Sequence, residues 1–226
     1  MHEMSVATLA RQLGVTQRRA NQLVAGGQIS ARRTDSGAWL VDAASADAYT
    51  RRRRTTRGLT ADAAWALLFM LSNERAEWTS ESTRARLRRR IRAHSAELIA
   101  QEVAGRTRVY RYRASNLALA EDGLLLTGRS AIEALNTDLL PDRGRLSGYV
   151  PAGTSVDEWA TTRFMVADPA GAVFLFANTI PADGSDARLP GAVVAADLAI
   201  SADAREREAG LEAIEEMRSR WLSSTE

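Results

Sequence analysis

The chain has 226 residues, 45% of them hydrophobic, with 30 basic against 28 acidic side chains and a net charge of +2. That length and apolar content allow one large domain or two to three small ones with a real core, and exclude wholesale disorder. It contains no cysteine, which excludes disulfides, thiolate metal sites and cysteine nucleophiles and suits a reducing compartment.

Residues 1–57 carry 10 arginines against 4 acids, a balance of +6. The opening "MHEMSVATLA" has no basic segment followed by an apolar stretch, so no secretory signal is expected and a cytoplasmic protein is the default. Ser5 stands where an N-cap belongs, and Val6, Leu9, Ala10 and Leu13 recur at helical spacing. Gly14 allows a sharp turn. Val15 then faces inward, Thr16 caps a second helix, and Ala20, Leu23 and Val24 supply its buried side before Gly26 and Gly27 end it. "ISARR", the turn signal "TDSG" and "AWLV" read as a β-hairpin, with Trp39 packing inward. Asp42 can cap a third helix, "AASADAYTRRRR", with Tyr49 folding back on the core. Helix, turn, helix, wing, helix is the plan of a winged helix-turn-helix.

The second of those helices would expose Gln17, Arg18, Arg19, Asn21 and Gln22. Arg pairs with guanine and Asn or Gln with adenine through two hydrogen bonds each, so this set can read base edges in a major groove. An ordinary solvated helix mixes signs, but no acid occurs from Gly14 to Thr34. Arg32 and Arg33, just before the hairpin tip, suit a wing lying beside or in the minor groove. Arg51, Arg52, Arg53, Arg54 and Arg57 can track phosphates, or complement the dipole at the end of their helix.

Residues 58–104 read as wholly helical. Thr60 can cap "ADAAWALLFML", anchored by Trp65, Leu68 and Phe69. The apolar run "AAWALLFML" is far short of the ~20 residues of a bilayer span. "ESTRARLRRRIR" sets Leu87 and Ile91 on one side and arginines on the others, and "SAELIAQEV" closes the region at Gly105. Residues 105–226 alternate short strands and helices. "RTRVYRY", "GLLLTG", "RLSGYVP", "TRFMVA" and "GAVFLFANTI" read as strands and "RSAIEAL" as a short helix. "DAREREAGLEAIEEMRSRWL" is a closing helix with Leu211, Ile214, Met217 and Trp221 on one face. From residue 114 onward 9 arginines face 18 acids, a balance of −9, against +11 for residues 1–113. A basic front facing a polyanion and an acidic rear suggest different tasks.

The expected fold class is α+β: an N-terminal winged helix-turn-helix (1–57), a helical middle segment (58–104) and a C-terminal mixed α/β domain (105–226). No catalytic or metal site and no cofactor are expected. His2 and His94 lie near no nucleophile or second ligand in sequence, Asp157, Glu158 and Asp197 read as surface acids, and "GRSA" is not a GxSxG elbow.

"VATLARQLGVTQRRANQLVAGGQISARRTDSGAWLV" resembles the winged helix-turn-helix of the MerR and excisionase families. "AWALLFMLS", "RVYRYRAS", "LLLTGRSAIEAL", "GYVP" and "PGAVVAADLAISADAREREAG" resemble the AbiEi-like antitoxins. That second resemblance implies a repressor of its own operon, binding double-stranded operator DNA arranged as an inverted repeat. It also implies a nucleotidyltransferase-like toxin as partner, opposed by the C-terminal domain. The acidic third region is expected to contact a partner protein or, in self-association on DNA, another copy of the chain. Two other classes stay open: a regulator whose third region senses a small molecule, and a DNA-processing enzyme. The absence of any lysine argues against the carboxylate–lysine cluster of many nucleases.

Overall fold

The computed structural model describes residues 3–34, 37–53, 58–181 and 188–224, without the side chains of residues 48 and 51–53. Chain order runs β1 (Glu3–Ser5), α1 (Val6–Leu13), α2 (Gln17–Ala25), β2 (Ala31–Arg33), β3 (Trp39–Asp42) and α3 (Ala43–Arg53) in the N-terminal unit. The two capping hydroxyls are where the sequence puts them. Ser5 Oγ accepts from the Thr8 N–H at 3.2 Å, and Thr16 Oγ1 from the Arg19 N–H at 3.2 Å. Gly14, at φ +63°, takes the left-handed turn between the helices, a conformation that any side chain would strain. Asp42 Oδ1 accepts from the Ala44 N–H at 3.1 Å, at the start of α3.

Val6, Leu9, Ala20, Leu23, Val24, Ile29 and Val41 form a core belonging to this unit alone, with Trp39 and Tyr49 packed against its edge. The sequence reading has no strand before α1. In the structure Glu3–Ser5 pairs antiparallel with β3, giving the sheet order β1-β3-β2. Three residues carry no readable alternation of their own; β3 recruits them by offering an unpaired edge.

The middle segment holds α4 (Ala61–Leu71), α5 (Glu81–Ala93), α6 (Ala96–Val103) and a 3₁₀ turn (Ala104–Arg106). Thr60 precedes α4 as expected, but its side chain makes no capping hydrogen bond. Every residue of α4 from Ala64 to Leu71 is buried, as befits a helix without a polar face. Such a helix needs neighbours on all sides, and residues 58–104 do not supply them alone. Its core is continuous with residues from the far end of the chain, among them Val193, Leu198, Ile214 and Trp221.

The remainder comprises β4 (Val109–Arg113), α7 (Leu117–Glu121), β5 (Leu125–Leu126), a 3₁₀ helix (Gly128–Ala134), β6 (Leu146–Tyr149), α8 (Val156–Thr162), β7 (Val166–Ala167), β8 (Val173–Phe176), α9 (Gly191–Ala199) and α10 (Ala204–Ser224). One reading needs correction, and one helix had no reading at all. "TRFMVA" is not one strand, because α8 takes up Thr162 and only Val166–Ala167 pairs. "PGAVVAADLAI" contains helix α9, whose buried run from Ala192 to Ala199 hides any helical period.

The five strands run β5-β6-β8-β4-β7, with β6 and β8 parallel and the other pairs antiparallel. Alternation along β8 divides the sheet into two faces. Val173 and Leu175 join Tyr112, Leu146 and Trp159 under α8, whereas Phe174 and Phe176 face the helical core of α4, α9 and α10. At Gly210 of α10 a Cβ would lie 2.4 Å from Ala199 N and 2.6 Å from Ala195 O, so a side chain there would drive α9 and α10 apart.

Candidate functional site

The exposed side of α2 is built by its buried side. Ala20, Leu23 and Val24 seat the helix, so residues offset by about 100° per position point away. Gln17, Arg18, Asn21 and Gln22, with Ala25, line one shallow open depression. Arg19 stands apart from that group. Its Nη1 donates to Gln22 Oε1 at 3.4 Å and it borders a second, larger cavity. Thr16 is exposed and spends its hydroxyl oxygen on the helix cap.

The hairpin arginines are engaged within the protein. The Arg32 guanidinium grips the Glu3 carboxylate with two hydrogen bonds of 2.8 and 2.9 Å, which hold that carboxyl below its ordinary value. Arg33 stacks on Trp39, its guanidinium carbon 4.7 Å from the ring centre. The sequence reading missed Glu3 as the partner of Arg32. Its only local signal is a lone acid near the start of a basic unit, and the strand pairing that brings it to Arg32 is not local. Arg51, Arg52 and Arg53 fall in the last turn of α3, where their side chains are not described; Arg54 and Arg57 lie outside the described residues.

The arginines of α5 are mostly tied into the protein. Arg84 and Arg88 pair with Glu81, Arg90 with the buried Glu102, and Arg92 lies over Trp221. His94, at the end of α5, meets the other oxygen of Glu102 at 3.1 Å.

Asp197 is not a surface acid. It is buried in an ion pair with Arg106, and it accepts Thr127 Oγ1 at 2.6 Å and Tyr149 Oη at 2.9 Å. Tyr149 Oη in turn accepts from Arg106 at 3.2 Å. Burial pushes the Asp197 carboxyl up, and the guanidinium with both hydroxyls pulls against that shift. Desolvation likewise drives the Tyr149 hydroxyl well above its ordinary value, so it serves as a hydrogen-bond donor and not as an acid. Asp157 and Glu158 are exposed in the first turn of α8, as read, with Asp157 accepting from Tyr112 Oη at 2.9 Å.

A cavity of about 710 Å³ separates the N-terminal unit from the five-stranded sheet. Arg111 spans the seam at one side, donating to Ser30 Oγ of the N-terminal unit and to Gly171 O at 2.6 and 3.1 Å. Among the described residues no cluster of three or more His, Asp or Glu is placed to hold a metal, and no helix is long and apolar enough to cross a membrane. No family model, no curated protein and no solved structure matches the chain.

Proposed function

We propose that the chain is a cytoplasmic DNA-binding repressor whose N-terminal unit works as a winged helix-turn-helix. The observation that carries this is the open face of α2. Four side chains able to hydrogen-bond base edges share it, and no acid lies from Gly14 to Thr34 to repel a phosphate backbone. The capped N-terminus of α2, with its free N–H groups and positive dipole end, supplies a phosphate anchor beside it. The hairpin contributes Arg33, raised on Trp39, more readily than Arg32, whose charge Glu3 already offsets. That the protein also acts as antitoxin to a nucleotidyltransferase-like toxin rests on the resemblance of its C-terminal segments, together with the acidic balance of that half.

Replacing Arg18 or Asn21 with Ala should cost about 1–3 kcal/mol on the operator and much less on unrelated duplex. Anisotropy titrations on the gene's own upstream DNA and on a scrambled duplex, at one salt concentration, decide this. Equal losses on both would reduce α2 to a phosphate holder. No preference by the intact protein for its upstream DNA would sink the repressor reading.

The basic run at the end of α3 has its own readout. If Arg52 and Arg53 neutralise phosphates, the double Ala variant should flatten the slope of log affinity against log salt by about 1 per lost contact. Sequence preference should hardly change. An unaltered slope would leave these arginines as helix-end charges only.

A further inference from the structure

We propose that the cavity between the N-terminal unit and the five-stranded sheet binds a small organic anion, a phosphate- or carboxylate-bearing molecule of about mononucleotide size. The volume of about 710 Å³ lies within the range of small-molecule sites. Its charge is unbalanced. Glu3 on the rim is taken by Arg32, and the buried Asp197 by Arg106. Arg145 and Arg129 then converge on a single buried carboxylate, Glu206, at 3.1 and 3.9 Å, and Glu206 also accepts Ser201 Oγ at 2.6 Å.

Arg111 adds a third guanidinium, and Asp42 is the one further acid on the cavity wall. Burial and the neighbouring Arg145 together pull the Arg111 guanidinium down to about 10. Like charges held this close in a half-enclosed space raise each other's cost, and an anion between them relieves it.

The rest of the lining fits an organic body in place of a bare ion. Phe174 forms part of the floor, with Arg111 and Arg145 4.7 and 5.1 Å from its ring centre, and Leu40, Val109 and Leu198 add apolar surface. Planar guanidinium forks suit the paired oxygens of a phosphate or carboxylate; Arg111 is already braced by Gly171 O and the Phe174 ring, and Arg145 by the same ring.

Calorimetric titration of the full chain, without DNA, tests this independently of the repressor reading. The probes are nucleoside monophosphates, sugar phosphates, aromatic carboxylates, inorganic phosphate and uncharged adenosine. At least one organic anion should bind one-to-one with a Kd well below about 1 mM, inorganic phosphate more weakly, and adenosine not at all. Arg129→Gln should weaken binding at least tenfold, while Arg75→Gln, an exposed residue paired with Glu77 and outside the cavity lining, leaves it unchanged. Arg108→Gln, at an exposed position on the cavity rim, gives the same readout by a several-fold loss if Arg129→Gln fails to fold. Failure of every organic anion to bind below that limit overturns the proposal. So does undiminished binding by Arg129→Gln, or by Arg108→Gln in its stead.

Discussion

Asp197→Ala should remove about 3–5 kcal/mol of folding stability, because it leaves the Arg106 guanidinium buried without a counter-charge. Both side chains are essentially inaccessible, at 0% and 1% exposure, so water cannot replace the lost carboxylate. Thr127 and Tyr149 would lose their acceptor at the same time. Against a typical total of about 5–15 kcal/mol, that is enough to leave much of the protein unfolded at moderate temperature. Asp197→Asn keeps the shape and one acceptor but not the charge, and should fall nearly as far. The double replacement Arg106→Met with Asp197→Leu should recover most of the loss, since it removes the charge as well as its partner. Urea denaturation of the four proteins measures this through midpoint and slope. A single variant as stable as the parent would show that the pair is hydrated in solution.

Trp65→Ala should cost a similar amount, about 3–5 kcal/mol, by opening a cavity where α4 meets the sheet. The ring is fully buried, meets Tyr149 edge-on with centres 5.6 Å apart, and lies 5.1 Å from the Arg106 guanidinium carbon. Its Nε1–H donates to Thr179 Oγ1 at 3.1 Å, and that hydroxyl donates to Arg106 O at 2.8 Å. Trp65→Phe keeps most of the volume and loses the N–H, so it should fall by only about 1–3 kcal/mol. Trp65 and Asp197 both act on Arg106, so their effects should not add, and a double-mutant cycle should return a coupling of about 0.5 kcal/mol or more. Full additivity would mean that the guanidinium is held without the ring.

Both sites lie within the joint between the middle helices and the C-terminal sheet, away from the face of α2. Their variants should therefore weaken the proposed DNA binding only as far as they unfold the chain. That separates them cleanly from Arg18→Ala and Asn21→Ala, which alter an exposed surface and should leave the melting curve in place.

The N-terminal unit was largely legible in the sequence, because its decisive interactions span three or four residues. Ser5 reaches the third N–H onward, Thr16 likewise, Gly14 turns the chain by its own backbone freedom, and Ala20, Leu23 and Val24 meet the core through helical spacing alone. The shared face of Gln17, Arg18, Asn21 and Gln22 follows from the same 3.6-residue period. The closing helix α10 was readable for that reason too, with Ile214 and Trp221 buried at the expected spacing.

What tertiary structure alone decided lies in contacts between distant residues. Asp197 meets Arg106 across 91 positions, Glu206 meets Arg145 across 61, and Glu3 meets Arg32 across 29, so each acid looked like any surface carboxylate in its own neighbourhood. Helix α9 was hidden because a segment buried on every side needs no polar face and leaves no period to count. The arginine-lined cavity is the same case at larger scale. Its side chains come from the hairpin, β4, the 3₁₀ helix and the residue before β6, and only the packing of one unit over the sheet sets like charges side by side. Local spacing determines which way a side chain leaves its helix, but the charge it will meet depends on how remote segments pack.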